Sequence, residues 1–499
     1  MTKISGKNRN RSDSASPAFG DGAKIVIVLG GLSANPRGVM ISALNRARRL
    51  FEAGFDVEIR LLTYVLDFAV IKNTLIEKGR LHELVQVQSI HEFLEDYDGE
   101  ELRLETETEL DAAAKRFSDL EPTETVVFRG VVRSRHWDRP DSNKKYGEYY
   151  RSDGSLYLRA FTEDRALLRG VSAIEIFNQA GERVGAFPSA RELWRFWFES
   201  SVVAQESLVV IQDGVYLNSA GFEVLGNIAR GDNVYNIQVV HGASIQEGDD
   251  PNPVAGLQKD RKIGGDPDLL VFLTELQRRE WESNFGPHPR SVCIPHELGV
   301  VSQNSGAVEV SESRRIVSIS SLFSNKRVDH LIKAFALATV DQPDVVLEIA
   351  GEGPEREKLS DLVHQLDLAG RVKLLGYVEN APKLLEGAVA SVITSTYEAF
   401  GMPIIESMAF GTPVVSYDVK YGPSAIIENG VDGLLVESGS IEKLAEAIRK
   451  LLTDSSLRDS LALEAEKSSE KFRPDRVTRE WVLAIKEVIE RRSAARNAY

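Results

Sequence analysis

Glu398 and Glu406 stand eight positions apart in TSTYEAFGMPIIESMAFGTPVVSYDVKYGPSAIIENGVDG, residues 394–433. ASVITS at 390–395 is short, apolar and rich in β-branched residues, as a buried parallel strand would be. Pro403 suits a first helical turn and Gly411 a helix end, and PVVSY at 413–417 reads as the next strand. Glu398 therefore falls in the loop after a strand, and Glu406 falls on the following helix. At such a junction free N–H groups and the helix dipole favour an anion. Two carboxylates beside a phosphate-friendly helix end suit a ligand carrying both hydroxyls and phosphates, such as a nucleotide-sugar. A bare Glu-x7-Glu equally fits a helix cap and a solvated helix residue, so the flanking residues carry the weight.

Those flanks are specific. Glu398-x-Phe400-Gly401-Met402-Pro403 with Glu406, then Gly411-x-Pro413-Val414-Val415 and Gly430-x-x-Gly433, resemble the donor-site signature of glycosyltransferase family 4. Tyr421-Gly422-Pro423-Ser424 narrows the resemblance to the bacterial wall teichoic acid α-glycosyltransferases. The likeness runs over nearly the whole chain beyond residue 23 and is strongest after residue 310.

The elements that must position these residues follow from length and rhythm. The 499 residues exceed one ordinary core, so two domains are expected. The composition, 42% apolar and 27% charged, is that of a globular protein, and no apolar run is long enough to span a membrane. A net charge of −15 argues against general nucleic-acid binding. Cys293 is the single cysteine, which excludes an intramolecular disulfide and, lying in SVCIP, reads as buried and inert. Residues 1–22 are polar and Ser-rich, lack a signal-peptide core, and read as a disordered tail of a cytoplasmic protein.

AKIVIVLG (23–30), a loop with Gly30, Gly31 and Gly38, and a helix from about 38 to 53 open a doubly wound domain. The expected division is an N-terminal domain over 23–80 and 206–305, a β-rich insertion over 81–205, a C-terminal domain over 306–473, and a terminal helix over 474–499. Within the insertion, ten Arg/Lys face six Asp/Glu between Arg129 and Arg169, interleaved with Trp137, Tyr146, Tyr149, Tyr150 and Tyr157. An ordinary solvated sheet explains this. So does a basic surface, with Arg133, Arg135, Lys144 and Lys145, for a polyanionic polymer. His241 ends a strand, where these sheets place ligand contacts. Asp266-Pro267-Asp268 fits an Asp-x-Asp metal pattern but precedes a strand beside a Gly-Gly turn, so it reads as a loop, and no metal is expected.

The resemblance implies more. It implies an α/β GT-B fold, with two Rossmann-like domains facing a cleft and the terminal helix crossing back to the first. The donor would be UDP-glucose or UDP-N-acetylglucosamine, with no other cofactor. The acceptor would be an anionic polyol-phosphate polymer, with a serine-rich surface protein or another glycan as alternatives. It also implies a homo-oligomer assembled through the insertion at the inner membrane face. Glu406 would bind ribose, Glu398 the transferred sugar, and Phe400, Gly401, Met402 and Pro403 would offer backbone to sugar and phosphates. Gly38 would lie near the phosphates and His241 near the transfer site. The family's diphosphate clamp is an arginine and a lysine five residues apart; Lys326 matches the lysine, but Ser321 occupies the arginine position. Serine lacks the charge and the fork of donors. A catalytically silent nucleotide- or glycan-binding subunit is therefore the second expectation.

Overall fold

The structure, a computed structural model, describes residues 23–34, 36, 38–63, 65–97, 120–138, 145–162, 171–202, 207–213, 233–241, 267–288, 290–299 and 314–497. The tail at 1–22, Lys144 and Asp266 lie outside the described residues, as does the side chain of Lys145.

The chain opens with β1 (Lys24–Leu29), α1 (Val39–Glu52), β2 (Asp56–Leu61), α2 (Phe68–Glu77), β3 (Gln86–Ser89) and α3 (Ile90–Glu95). An antiparallel meander follows: β4 (Glu124–Phe128), β5 (Val131–Asp138), β6 (Lys145–Tyr150), β7 (Leu156–Thr162), β8 (Val171–Phe177) and β9 (Arg183–Phe187), then helix α4 (Ala190–Val202). The doubly wound pattern resumes with β10 (Leu208–Gln212), β11 (Val234–Val240), β12 (Leu269–Phe272), α5 (Glu275–Phe285) and β13 (Ser291–Cys293).

The second domain is β14 (Arg314–Ile319), α6 (Val328–Ala338), β15 (Val345–Ala350), α7 (Arg356–Gln365), β16 (Val372–Gly376), β17 (Ala390–Ile393), α8 (Met402–Ala409), β18 (Val414–Asp418), α9 (Gly422–Ile426) and β19 (Leu434–Glu437). Helices α10 (Ile441–Thr453), α11 (Ser455–Ser469) and α12 (Pro474–Asn497) complete it.

Two parallel sheets result, ordered β13-β12-β11-β10-β1-β2-β3 and β16-β15-β14-β17-β18-β19. In each, strand order reverses beside the first strand of the domain, and ligands of such sheets sit at the carboxyl ends there. Ile25, Val26, Ile27 and Val28 are all fully buried, as a strand covered on both faces requires. The α/β GT-B architecture with its β-rich insertion is thus present. Because β3 belongs to the first sheet, that segment reaches Ser89 rather than stopping at residue 80, and the insertion's own sheet begins at Glu124.

The aromatic stripe of the insertion is core. Trp137, Tyr146, Tyr149 and Tyr157 are all under 9% exposed. Tyr149, Tyr157, Ile174 and Ile176 share one cluster with Trp194 and Trp197 of α4 and with Val26 and Val28 of β1. Among the described basic residues, several are engaged internally. Arg133 Nη2 donates to Glu95 Oε1 at 2.7 Å, Arg159 and Arg183 both pair with buried Glu175, and Arg151 Nη2 donates to Phe177 O at 2.7 Å. Arg129 and Arg135 are exposed, their guanidinium groups over the Phe128 and Tyr150 rings. Within the described residues the aromatic part of the expected platform is thus core, with Arg133, Arg151 and Arg159 turned inward and Arg129 and Arg135 exposed; Arg139, Lys144, Arg165 and Arg169 lie outside the described residues.

Helix α12 lies against α1, with Arg46 4.3 Å above the Trp481 ring, and Arg492 Nη1 reaches Asp268 at 3.2 Å. Asp268 also accepts from the Asn236 N–H at 2.8 Å, so this half of the Asp-x-Asp pattern is occupied in packing the first domain. Among the described residues, ion pairs that cross between the domains away from α12 join Lys78 to Glu379 at 3.3 Å and Lys420 to Glu280 at 2.7 Å. Cys293 is half-buried, and burial pushes its thiol up to about 12, which leaves it unreactive. Among the described residues, no helix is long and apolar enough to cross a membrane.

Candidate functional site

β14 and β17 are neighbours at the reversal point of the second sheet, and the loops leaving them form the site. The first loop carries Ser321 and a single 3-10 turn at Ser324–Lys326; the second carries Thr394 to Gly401. They are tied together. The Thr396 N–H donates to Asn325 O, and Thr394 Oγ1 donates to Lys326 O, both at 2.8 Å. This fixes the backbone from which Lys326 and Glu398 project. Lys326 Nζ donates to Glu398 Oε1 at 2.5 Å, and Ser395 Oγ donates to the same oxygen at 2.7 Å.

The Tyr421-Gly422 segment explains its place in the motif. The N–H groups of Tyr421 and Gly422 donate to Glu398 O at 2.7 and 2.9 Å, and the Glu398 N–H donates to Lys420 O at 3.2 Å. A Cβ at Gly422 would collide with the Phe400 carbonyl, so only glycine lets the strap lie this close. Gly401 precedes α8 with φ +96, a conformation that side chains resist, and so turns the loop into the helix. Met402 and Pro403 then form the first turn of α8, whose N-terminal N–H groups face no acidic residue in that turn. Phe400 is buried edge-on against His296 (5.2 Å) and Phe472 (5.7 Å), which anchors the loop.

Glu406 sits one turn further along α8. It is partly buried; its backbone carbonyl accepts from the Phe410 N–H at 3.3 Å, and its carboxyl makes no hydrogen bond among the described residues. Burial pushes its carboxyl up from 4.5 to about 7, against the opposing pull of the Arg80 charge from the first domain. A partly buried carboxylate with no side-chain partner among the described residues can accept hydroxyl donors.

Ser321 is partly buried, and its carbonyl accepts from Ser320 Oγ at 3.2 Å. Arg327, the adjacent cation, does not take over the missing arginine's place. Its backbone is left-handed (φ +45), its guanidinium lies beside Gly439, and its charge acts on Tyr417 and His330. In the first domain Gly38 caps α1 with φ +48, and a Cβ there would meet nothing within 4 Å, so open space faces this loop.

His241 follows β11 and is 7% exposed. Its Nε2 lies 2.6 Å from Asp213 Oδ1, and Asp213 pairs through its other oxygen with Arg46 of α1. The His241 ring stacks on His296 at 5.6 Å, and His296 in turn meets Phe400. A continuous contact path thus joins the strand end of the first domain to the donor loop of the second. Burial, with the Arg46 charge, pushes His241 down to about 3, and His296 falls well below its ordinary value for the same reasons. Asp213, His296 and Arg46 escape motif reading. The one available signal is that Asp213 ends the apolar run LVVIQD as His241 ends its own.

Comparison with known proteins places these loops in context. Residues 304–468 match the family model described as glycosyl transferases group 1. A poly(glycerol-phosphate) alpha-glucosyltransferase of Bacillus subtilis is 31% identical over 45% of this chain. The chain spans only 33% of that relative's length, and 24% of the length of a Streptomyces coelicolor exopolysaccharide phosphotransferase, 35% identical over 46% of this chain. A poly(ribitol-phosphate) alpha-N-acetylglucosaminyltransferase of Staphylococcus aureus aligns over 92% of this chain and 99% of its own at 23% identity. Among solved structures, a variant of S. aureus TarM in complex with fondaparinux, alpha-GlcNAc-glycerol and UDP has a TM-score of 0.65 at 19% identity, covering 92% of this chain and 99% of its own. The pneumococcal O-GlcNAc transferase GtfA, with UDP and GlcNAc, has a TM-score of 0.66 at 17% identity, covering 94% and 99%. These likenesses establish the GT-B fold.

Proposed function

We propose that this chain is a retaining glycosyltransferase that moves glucose or N-acetylglucosamine from a UDP-sugar to a cell-wall polyol-phosphate polymer, a teichoic acid. The observation that carries the reading is the meeting of Lys326 and Glu398 at the head of α8, with unpartnered Glu406 a turn further along. Glu406 accepts the ribose hydroxyls, and Glu398 accepts those of the transferred sugar. Lys326 and the N–H groups of Gly401 and Met402 meet the charge that develops on the departing diphosphate. These groups supply the positive charge at the leaving group, so the reading requires no metal and no cofactor beyond the donor. Gly38 gives the phosphates room from the first domain. Attack on the same face as departure retains the anomeric configuration without a protein nucleophile.

The names of the B. subtilis and S. aureus relatives support the polyol-phosphate acceptor. The same reading puts the protein in the cytoplasm, at the inner face of the membrane, as a homo-oligomer joined through the insertion sheet. Ser321 favours a second reading, a subunit that binds nucleotide or glycan without turnover; GtfA, a structural neighbour, is found in a complex with a partner.

The deciding experiment measures UDP release from UDP-glucose and UDP-N-acetylglucosamine, each with purified poly(glycerol-phosphate), poly(ribitol-phosphate) or a serine-rich peptide. Turnover with a polyol-phosphate polymer supports the first reading. UDP binding with no turnover on any acceptor supports the second.

A further inference from the structure

His241 and Asp213 end neighbouring parallel strands, β11 and β10, at the carboxyl edge of the first sheet. Both are buried, so the 2.6 Å contact between Nε2 and Oδ1 is sheltered from water. Arg46 of α1 pairs with the second Asp213 oxygen, and this guanidinium favours the carboxylate over the acid. A carboxylate only accepts hydrogen bonds, so the hydrogen in that contact belongs to Nε2. The other groups facing the ring disfavour a second proton on it. Arg46 is a cation, His296 stacks at 5.6 Å with its planes 24° apart, and the site is enclosed; Glu297, beyond His296, is turned to Arg49 at 3.5 Å. The imidazole is therefore neutral, with its lone pair on Nδ1. That nitrogen is buried and has no hydrogen-bond partner among the described residues. A buried acceptor left unpaired is costly, and the missing donor comes from a ligand or an ordered water. Through His296 and Phe400 the ring is linked to the loop that carries Glu398.

We infer that Asp213 is a positioning residue of the transfer site: it fixes His241 as the neutral Nε2–H tautomer, so that Nδ1 accepts from a hydroxyl of the transferred sugar or of the acceptor. The inference rests on the transferase reading for its consequence, but not for its geometry. Asp213 itself touches no substrate; it acts through the orientation and tautomer of His241, with Arg46 holding its charge.

The test uses the full chain labelled with 15N-histidine. The protein has eight histidines, so His241→Gln identifies the His241 signals by their loss. Wild type should show the Nε2-protonated neutral imidazole, and Asp213→Asn should convert it to the other tautomer or a mixture. Asp213→Asn should also lower kcat about tenfold or more, with the KM for UDP-N-acetylglucosamine within about twofold. Asp213→Glu should restore the tautomer and much of kcat. If the hydroxyl belongs to the donor sugar, slow hydrolysis of UDP-N-acetylglucosamine without acceptor falls with transfer; if it belongs to the polyol, hydrolysis is spared. An Nδ1-protonated His241 in wild type overturns the inference even where Asp213→Asn fails to fold. So does a drop in kcat that leaves the tautomer unchanged. The imidazole spectrum needs no turnover, so an inactive wild type would defeat the transferase reading while leaving the tautomer claim to its own result.

Discussion

Lys326 Nζ and Glu398 Oε1 lie 2.5 Å apart, although 72 positions separate them in the chain. The cation suited to a diphosphate and the carboxylate suited to sugar hydroxyls neutralise each other, with Ser395 as a third member. On the proposed function, a donor entering the site would part them, giving Lys326 to the phosphates and Glu398 to the sugar. Both side chains are partly accessible, so water and ligand can reach the pair.

Glu398→Gln removes the charge that holds Lys326. UDP, which lacks the sugar, should bind as well as to wild type or a few-fold tighter, while sugar transfer should fall by about 10²-fold or more. Titration calorimetry with UDP and single-turnover transfer measure the two. A large loss of UDP affinity would place Glu398 on the nucleotide side.

Glu406 titrates near neutrality. Its carboxyl is pushed from 4.5 up to about 7, so across that window the folded protein keeps a proton that the unfolded chain has lost. Its contribution to stability therefore falls as pH rises from 4.5 through about 7. Glu406→Gln should melt higher than wild type at pH ~8 and lose that advantage near pH ~5. The ribose needs the carboxylate, so the same variant should bind UDP about tenfold more weakly at pH ~8, with the gap narrowing at pH ~6. Thermal melts and UDP titrations of both proteins across this range give the comparison.

Ser321→Arg should raise kcat about tenfold or more, because one preorganised donor at a developing charge is worth ~10²–10³ in rate. Arg327 is turned to Gly439 and Tyr417, so it already serves elsewhere. Lys326→Ala should abolish transfer. Turnover that survives Lys326→Ala would put the diphosphate somewhere else.

Tyr157→Ala tests the inner side of the insertion. Tyr157 is fully buried and its hydroxyl lies 2.8 Å from His91 Nδ1, so truncation should cost ~3–5 kcal/mol. Urea unfolding followed by circular dichroism measures it. A loss of polymer binding at unchanged stability would restore the surface role that its burial denies.

What could be read from sequence was local. Glu398, Gly401 and Glu406 belong to one strand–loop–helix unit, and chain grammar alone sets their order. The insertion was legible as strands but not by face. Trp137 and Tyr146 are register partners on β5 and β6, and only that pairing turns both rings inward. Asp213 meets His241 because β10 and β11 lie side by side, a relation across 28 positions that periodicity does not encode. Arg46 completes the cluster only once α12 folds back and Trp481 covers it.

The ion pairs that bridge the cleft, Lys78 to Glu379 and Lys420 to Glu280, have a consequence for how the two halves respond to their surroundings. Glu379 and Lys420 are mostly exposed, and pairs of that kind contribute about 0–1 kcal/mol each. They are therefore latches rather than rivets, and they weaken as the Debye length shrinks from ~10 Å at 0.1 M salt to ~3 Å at 1 M. Higher ionic strength should thus loosen these two contacts between the halves. A polyanion sliding between the halves would compete for Lys78 and Lys420, prising the latches apart by its own charge as it enters.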